Sequence, residues 1–380
     1  MALQNEPCGS LPRSNKLQTA YSDYDKGKIS KSALEDLQDE AVKDSIVKME
    51  STGQEICCDG EQRWSSFATY PITDTMTGTG LVDTLADGGQ IFALFPDGHY
   101  RKLPKLIKGP FKYKNYAAES TRKAVAIAKG PIKQAVIAPS MLSLLYPLNH
   151  EIKGYSHEQF YDDLVKECVK DIKMVLEAGA ARVSIDFTEG RLACKKDPNN
   201  PWTGSEMLPL FIDLINRVLA EFSAEQRVNI GVHTCPGSNA TTTHSLDVDY
   251  IELLPDFFRL NAGYFLIQTA SEKDREYAYK LIGENRRDDA DGVSQVCFIG
   301  VIDPINPKVE IPEEICDELM LASKYIPANR LGVTDDCGFQ PFSDDLRPNY
   351  GSPDVARDVA FKKISARLEG AKMASAKLGV

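Results

Sequence analysis

Residues 227–233 read RVNIGVH, and the chain continues Thr234-Cys235-Pro236-Gly237. A short run this rich in valine and isoleucine predicts a strand covered on both faces, as parallel strands between helices are. Comparable runs recur at 54–58 (QEICC), 132–138 (IKQAVIA), 181–187 (ARVSIDF), 263–269 (GYFLIQT), 296–302 (VCFIGVI) and 330–335 (RLGVTD). A first strand just before Gly9 brings the count to eight. Between the runs lie stretches with apolar residues three and four apart, at 157–179, 205–223, 272–284, 311–326 and 353–378. This alternation implies parallel βαβ units, and eight of them predict an α/β fold, a (β/α)8 TIM barrel. Residues 67–114 break the rhythm and are expected to form an insertion after the second strand. No change of composition asks for a boundary, so 1–380 reads as a single catalytic barrel.

The formal net charge is −11, with lysines and arginines scattered. That balance argues against a nucleic-acid backbone as partner. Met1 to Ser14 shows no basic region followed by an apolar core, and the most apolar window, 135–148, is broken by Pro139 and Pro147. A cytoplasmic protein without a membrane partner is therefore expected. In that compartment nine cysteines are thiols or ligands before they are disulfides.

In a barrel, chemistry sits at the C-terminal ends of the strands. His233 and Cys235 are alternate residues of an extended segment, so both can reach one ion. Imidazole and thiolate suit zinc, and Cys337, ending the last strand before Gly338, supplies a third ligand while a fourth position stays open for substrate. The structural alternative is a hydrogen-bonded histidine beside buried cysteines. Cys57 and Cys58 are adjacent and face opposite sides of a strand, while Cys168 and Cys316 fall on helical stretches. His244 is either a proton carrier or an ordinary loop residue. Glu61, Asp186 and Glu189 converge over the pore, where they either hold a substrate ammonium group or pair with Arg63 and Arg191.

Taken together, Gly9-Ser10-Leu11-Pro12, Asp59-Gly60-Glu61, Gly130-Pro131 leading to Ala138-Pro139-Ser140, Ile185-Asp186, His233-Thr234-Cys235 and Asp336-Cys337-Gly338 resemble the catalytic barrel of the cobalamin-independent methionine synthase family and its single-barrel relatives. The likeness runs nearly end to end. It implies Zn2+ held by His233, Cys235 and Cys337, and a zinc-bound substrate thiolate, homocysteine-like, that attacks the methyl carbon of an alkyl donor such as 5-methyltetrahydrofolate. It places Gly9, Ser10, Glu61 and Asp186 against an amino-acid thiol, and it leaves Asp186, Glu189 and His244 as catalytic candidates. Two departures stand out: Gln268 occupies the position of a fourth, glutamate ligand, and 303–307 (DPINP) lacks the family's proton-transfer histidine. Both suit a second reading, a thiol alkyltransferase using an epoxide or another non-folate electrophile, like epoxyalkane:coenzyme M transferase. A third is a non-catalytic barrel with structural zinc.

Overall fold

A computed structural model of the chain describes residues 2–68, 70–71, 81–82, 91–94, 100–102, 105–147, 150–196, 206–235, 245, 247–340, 342–343 and 351–380. Strands in chain order are β1 Gln4–Asn5, β2 Leu81–Val82, β3 Ile91–Leu94, β4 Tyr100–Lys102, β5 Lys105–Leu106, β6 Lys133–Ile137, β7 Arg182–Asp186, β8 Ile230–Thr234, β9 Tyr264–Ile267, β10 Val296–Ile302 and β11 Leu331–Asp335. Seven of them form one curled sheet in the order β1-β11-β10-β9-β8-β7-β6, every pairing parallel. Strands β6 to β11 match the expected runs to within a few residues.

The expected strand at 54–58 is reduced to a single parallel bridge, Cys57 to Ile132. On its other side the chain meets the β1 end through side chains: the Gln54 amide donates to Asn5 O at 2.9 Å and the Cys58 thiol to Gly9 O at 3.2 Å. The reason lies in Pro7 and Lys133. Pro7 has no N–H to offer a ladder, and the buried Lys133 ammonium takes the carbonyls of Pro7 (2.6 Å) and Cys8 (2.7 Å). The eight-strand expectation is thus corrected to seven laddered strands and one bridged segment.

The helices that follow the strands span His157–Glu177, Leu208–Leu219, Arg275–Asn285, Pro312–Ala322 and Pro353–Leu378. Local chemistry sets their starts: Ser156 and Gln159 form a capping box, and Ser352 accepts from Val355 N ahead of Pro353. Two further helices, Asn15–Asp25 and Lys31–Ser51, fill the space before the bridged segment, with Ser14 and Ser30 as N-caps. Between sheet and helices lies a continuous apolar layer in which Phe160, Phe187, Phe211, Phe257 and Phe265 are fully buried, each such side chain contributing about 1.5–3 kcal/mol. Of the expected insertion, β2 pairs with β5 and β3 with β4, both antiparallel; most of 67–114 lies outside the described residues. So does His244.

Candidate functional site

The register of β7 against β8 sets Asp186 beside His233. Neighbours in register on a parallel sheet share a face, and Asp186 Oδ1 lies 3.2 Å from His233 Nδ1. That contact turns Nε2 toward the loop after β11, 3.4 Å from Asp336 O. Cys235 lies two residues past His233 and Cys337 two past the end of β11; their sulfurs are 2.9 Å apart. Ligand atoms of His233, Cys235 and Cys337 all fall within 4.8 Å of one another, and all three residues are buried. Burial pulls the His233 imidazolium down, but the Cys8 and Cys337 sulfurs and Asp186 outweigh it and leave its pKa well above the ordinary value. The hydrogen bond to Cys235, together with burial, pushes the Cys337 thiol well up. One imidazole steadied by a carboxylate and two buried sulfurs make a donor set that fits a soft divalent cation. Cys8 interacts with the His233 ring but stands outside this ligand group, its thiol donating to Asp335 O at 2.9 Å. Cys57 and Cys168 are buried in the apolar layer, and burial pushes Cys57 up to about 12.

Two acidic residues, Glu61 and Glu189, interact with Asp186, the partner of His233. Glu61 sits at φ 57°, after Gly60 at φ 68°, in a turn closed by Asp59 Oδ1 accepting from Glu61 N at 2.8 Å. A non-glycine residue at positive φ is strained, a feature that clusters at binding sites. Gly9 makes room for it, because a Cβ there would stand 2.6 Å from Glu61 Oε1. Glu189 opens the short helix Glu189–Ala193 and accepts the Ser140 hydroxyl on Oε1. Burial, helped by Asp186, pushes Glu61 up to about 8; burial likewise lifts Glu189 to about 8 against the Ser140 bond. Glu61 Oε2 and Glu189 Oε2 are buried without a hydrogen-bond partner among the described residues. The arginines weighed as their partners go elsewhere, Arg63 to Asp39 and Arg191 to Glu272. Ser10 joins this wall: its carbonyl accepts Phe339 N at 2.8 Å, tying the first loop to the Cys337 loop.

Among known proteins, the chain is 25% identical over 343 residues to a methionine synthase of Pyrococcus abyssi, covering 87% of this chain and 85% of that one. It is 23% identical over 375 residues to a methionine synthase of Sulfurisphaera tokodaii, covering 96% and 90%. The B12-independent methionine synthase of Shewanella sp. W3-18-1, solved with selenomethionine, superposes with a TM-score of 0.71 at 19% identity, covering 100% of this chain and 99% of that one. In sequence the chain is similar to these methionine synthases, and in fold to the B12-independent enzyme. No family model matches it. Among the described residues no helix is long and apolar enough to cross a membrane.

Against the methionine synthase pattern, Gln268 lies just past β9 with its amide turned into hydrogen bonds to Arg191, Tyr250 and Glu272. Asp303 caps its own loop, accepting from Ile305 N at 2.8 Å. Tyr250, Glu272, Ser140 and the carboxylate of Asp336 were not singled out as functional from sequence. Only Ser140 and Asp336 carried a signal, lying within quoted motifs; nothing in the local sequence marks the other two.

Proposed function

We propose that this chain is a zinc-dependent thiol methyltransferase of the B12-independent methionine synthase type, with homocysteine as acceptor. The observation that carries the proposal is the buried His233/Cys235/Cys337 trio beside two unpartnered carboxylate oxygens, those of Glu61 and Glu189. A purely structural metal needs no such polar wall. When bound, zinc would supply a Lewis acid that keeps the substrate thiol ionised at neutral pH. His233, Cys235 and Cys337 would hold it, and two thiolates with one imidazole leave a fourth position for the substrate sulfur. Asp186 fixes the imidazole through Nδ1, so the ring cannot turn its other nitrogen away.

Glu61 and Glu189 offer Oε2 atoms to the substrate ammonium, with the Asp186 side chain at the end of β7 acting on both. An arriving ammonium draws both carboxyls down from about 8, so each can shed its proton as substrate binds. The Gly9-Ser10 backbone receives the substrate carboxylate. Ser140 orients Glu189, whose released proton can pass to the departing donor; His244 is the alternative carrier. In the transfer, the substrate sulfur forms its bond to the methyl carbon as that carbon leaves the donor.

An alkyl donor other than methylfolate is the second reading, an epoxide included, and two observations favour it: the locked Gln268 amide and the absence of histidine from 303–307. The deciding experiment incubates zinc-loaded protein and homocysteine with 5-methyltetrahydrofolate, with other methyl donors and with small epoxides, and also offers other thiols. Methionine as product supports the proposal. A thioether formed only from epoxide moves the chain to the second reading, and no product with any donor, from protein that holds zinc, supports a structural metal.

A further inference from the structure

Where the resemblance implies a glutamate ligand, Gln268 is engaged through both ends of its carboxamide. Oε1 accepts from Arg191 Nη1 at 2.8 Å and from the Tyr250 hydroxyl at 2.7 Å, and Nε2 donates to Glu272 Oε1 at 2.7 Å. Arg191 takes one lone pair of that oxygen, and the Tyr250 hydroxyl, whose single proton is shared with the backbone oxygen of Gln268, faces the other. The side chain is fully buried, so no solvent competes.

Its partners are anchored in turn. Arg191 reaches Glu272 Oε1 at 2.6 Å and Val248 O at 3.0 Å, and its guanidinium lies 4.1 Å from the centre of the Tyr250 ring. The Tyr250 hydroxyl also sits 2.6 Å from the backbone oxygen of Gln268, so side chain and main chain are held by one group. A guanidinium on Oε1 repels any cation that approaches the same oxygen. Immediately downstream, Asp336 clamps Thr269, Ala270 and Ser271, which leaves the Gln268 segment no slack to swing inward.

We infer that the metal centre of this chain has three protein ligands, His233, Cys235 and Cys337, and that Gln268 is instead the centre of an Arg191–Tyr250–Glu272 network that keeps the fourth direction clear for the incoming thiol. The inference rests on the zinc-thiol reading. Its consequence is electrostatic: two thiolates balance a divalent ion, and the substrate thiolate enters without displacing a protein carboxylate. Gln268 is therefore a positioning residue.

The test uses the full-length chain loaded with cobalt or zinc, comparing wild type, Gln268→Leu and Cys337→Ser by cobalt visible spectrum and by chelator competition for zinc. Gln268→Leu is expected to keep the wild-type cobalt spectrum and a zinc Kd within about threefold of wild type. Cys337→Ser is expected to raise that Kd by about a hundredfold or more. Should leucine strand Arg191 badly enough to prevent folding, Gln268→Leu with Arg191→Met removes the stranded cation and is read the same way. A changed cobalt spectrum and a hundredfold weaker zinc Kd in either Gln268 variant would overturn the inference while leaving the zinc reading intact. A wild-type chain that binds neither metal overturns the zinc reading itself.

Discussion

Replacing Asp336 with asparagine probes how the site is held together. Oδ1 of Asp336 accepts from the amides of Thr269 (2.9 Å) and Ala270 (2.7 Å), and Oδ2 from the amide (2.7 Å) and hydroxyl (2.6 Å) of Ser271. An asparagine carbonyl can keep the first pair. Its amide nitrogen then faces the Ser271 N–H, donor against donor, while the Ser271 hydroxyl can turn to accept. Bonds to a charged group contribute about 1.5–3 kcal/mol and a stranded buried amide costs about 1–3 kcal/mol, while asparagine removes the cost of burying the charge, so the substitution is expected to destabilise by a net of about 1–3 kcal/mol. Burial pushes Asp336 up to about 7 against these four donors, so the measurement belongs at pH 8, where the carboxylate is ionised. The assay is urea unfolding of metal-free protein followed by circular dichroism, checked for an unchanged m-value. Because Asp336 O faces His233 and its chain neighbour is Cys337, zinc should also bind about 10–100-fold more weakly. A loss below about 1 kcal/mol with zinc affinity unchanged would refute the idea that this clamp organises the centre.

The pH dependence of the metal-free protein should carry the signature of the buried acids. Glu61 and Glu189 near 8 and Asp171 near 7 keep protons that the unfolded chain has shed, so stability falls as pH rises from 5 to 8, and His233, raised as well, acts in the same sense. Urea midpoints across that window test it, with a shallower fall in Glu189→Gln; a midpoint that climbs with pH contradicts it. Gly9→Ala should weaken homocysteine binding by about tenfold or more in calorimetry, since its Cβ meets Glu61 Oε1; unchanged affinity would remove Glu61 from the substrate wall. Cys168→Ala serves as the contrasting thiol. Its sulfur is buried beneath β6, so it should cost about 1–2 kcal/mol of stability and leave zinc content alone.

Periodicity carried most of the fold, because strands buried on both faces announce themselves as apolar runs and β6 to β11 are such strands. It failed where backbone pairing depends on a single side chain. Nothing local to QEICC says that Pro7 and Lys133, 126 residues apart, withhold the partners a ladder needs. Helices Asn15–Asp25 and Lys31–Ser51 went unremarked because their apolar faces are thin, although Ser14 and Ser30 mark their starts. The metal trio was legible because strand ends converge in a barrel and soft ligands are rare. The Gln268 network was not: Arg191 lies 77 residues from Gln268 and 81 from Glu272, and only the curled sheet brings them together. The fate of Arg63 and Arg191 was equally a matter of packing; once both pair elsewhere, Glu61 and Glu189 each keep a buried oxygen without a hydrogen-bond partner among the described residues.

The account stands most directly on one measurement, the zinc content of the purified chain beside Cys235→Ser and Cys337→Ser variants, by elemental analysis after dialysis against a weak chelator. The proposal predicts about one zinc per wild-type chain and close to none in either variant. Wild-type protein without zinc, or variants that retain it in full, would contradict the central claim that His233, Cys235 and Cys337 form one metal centre.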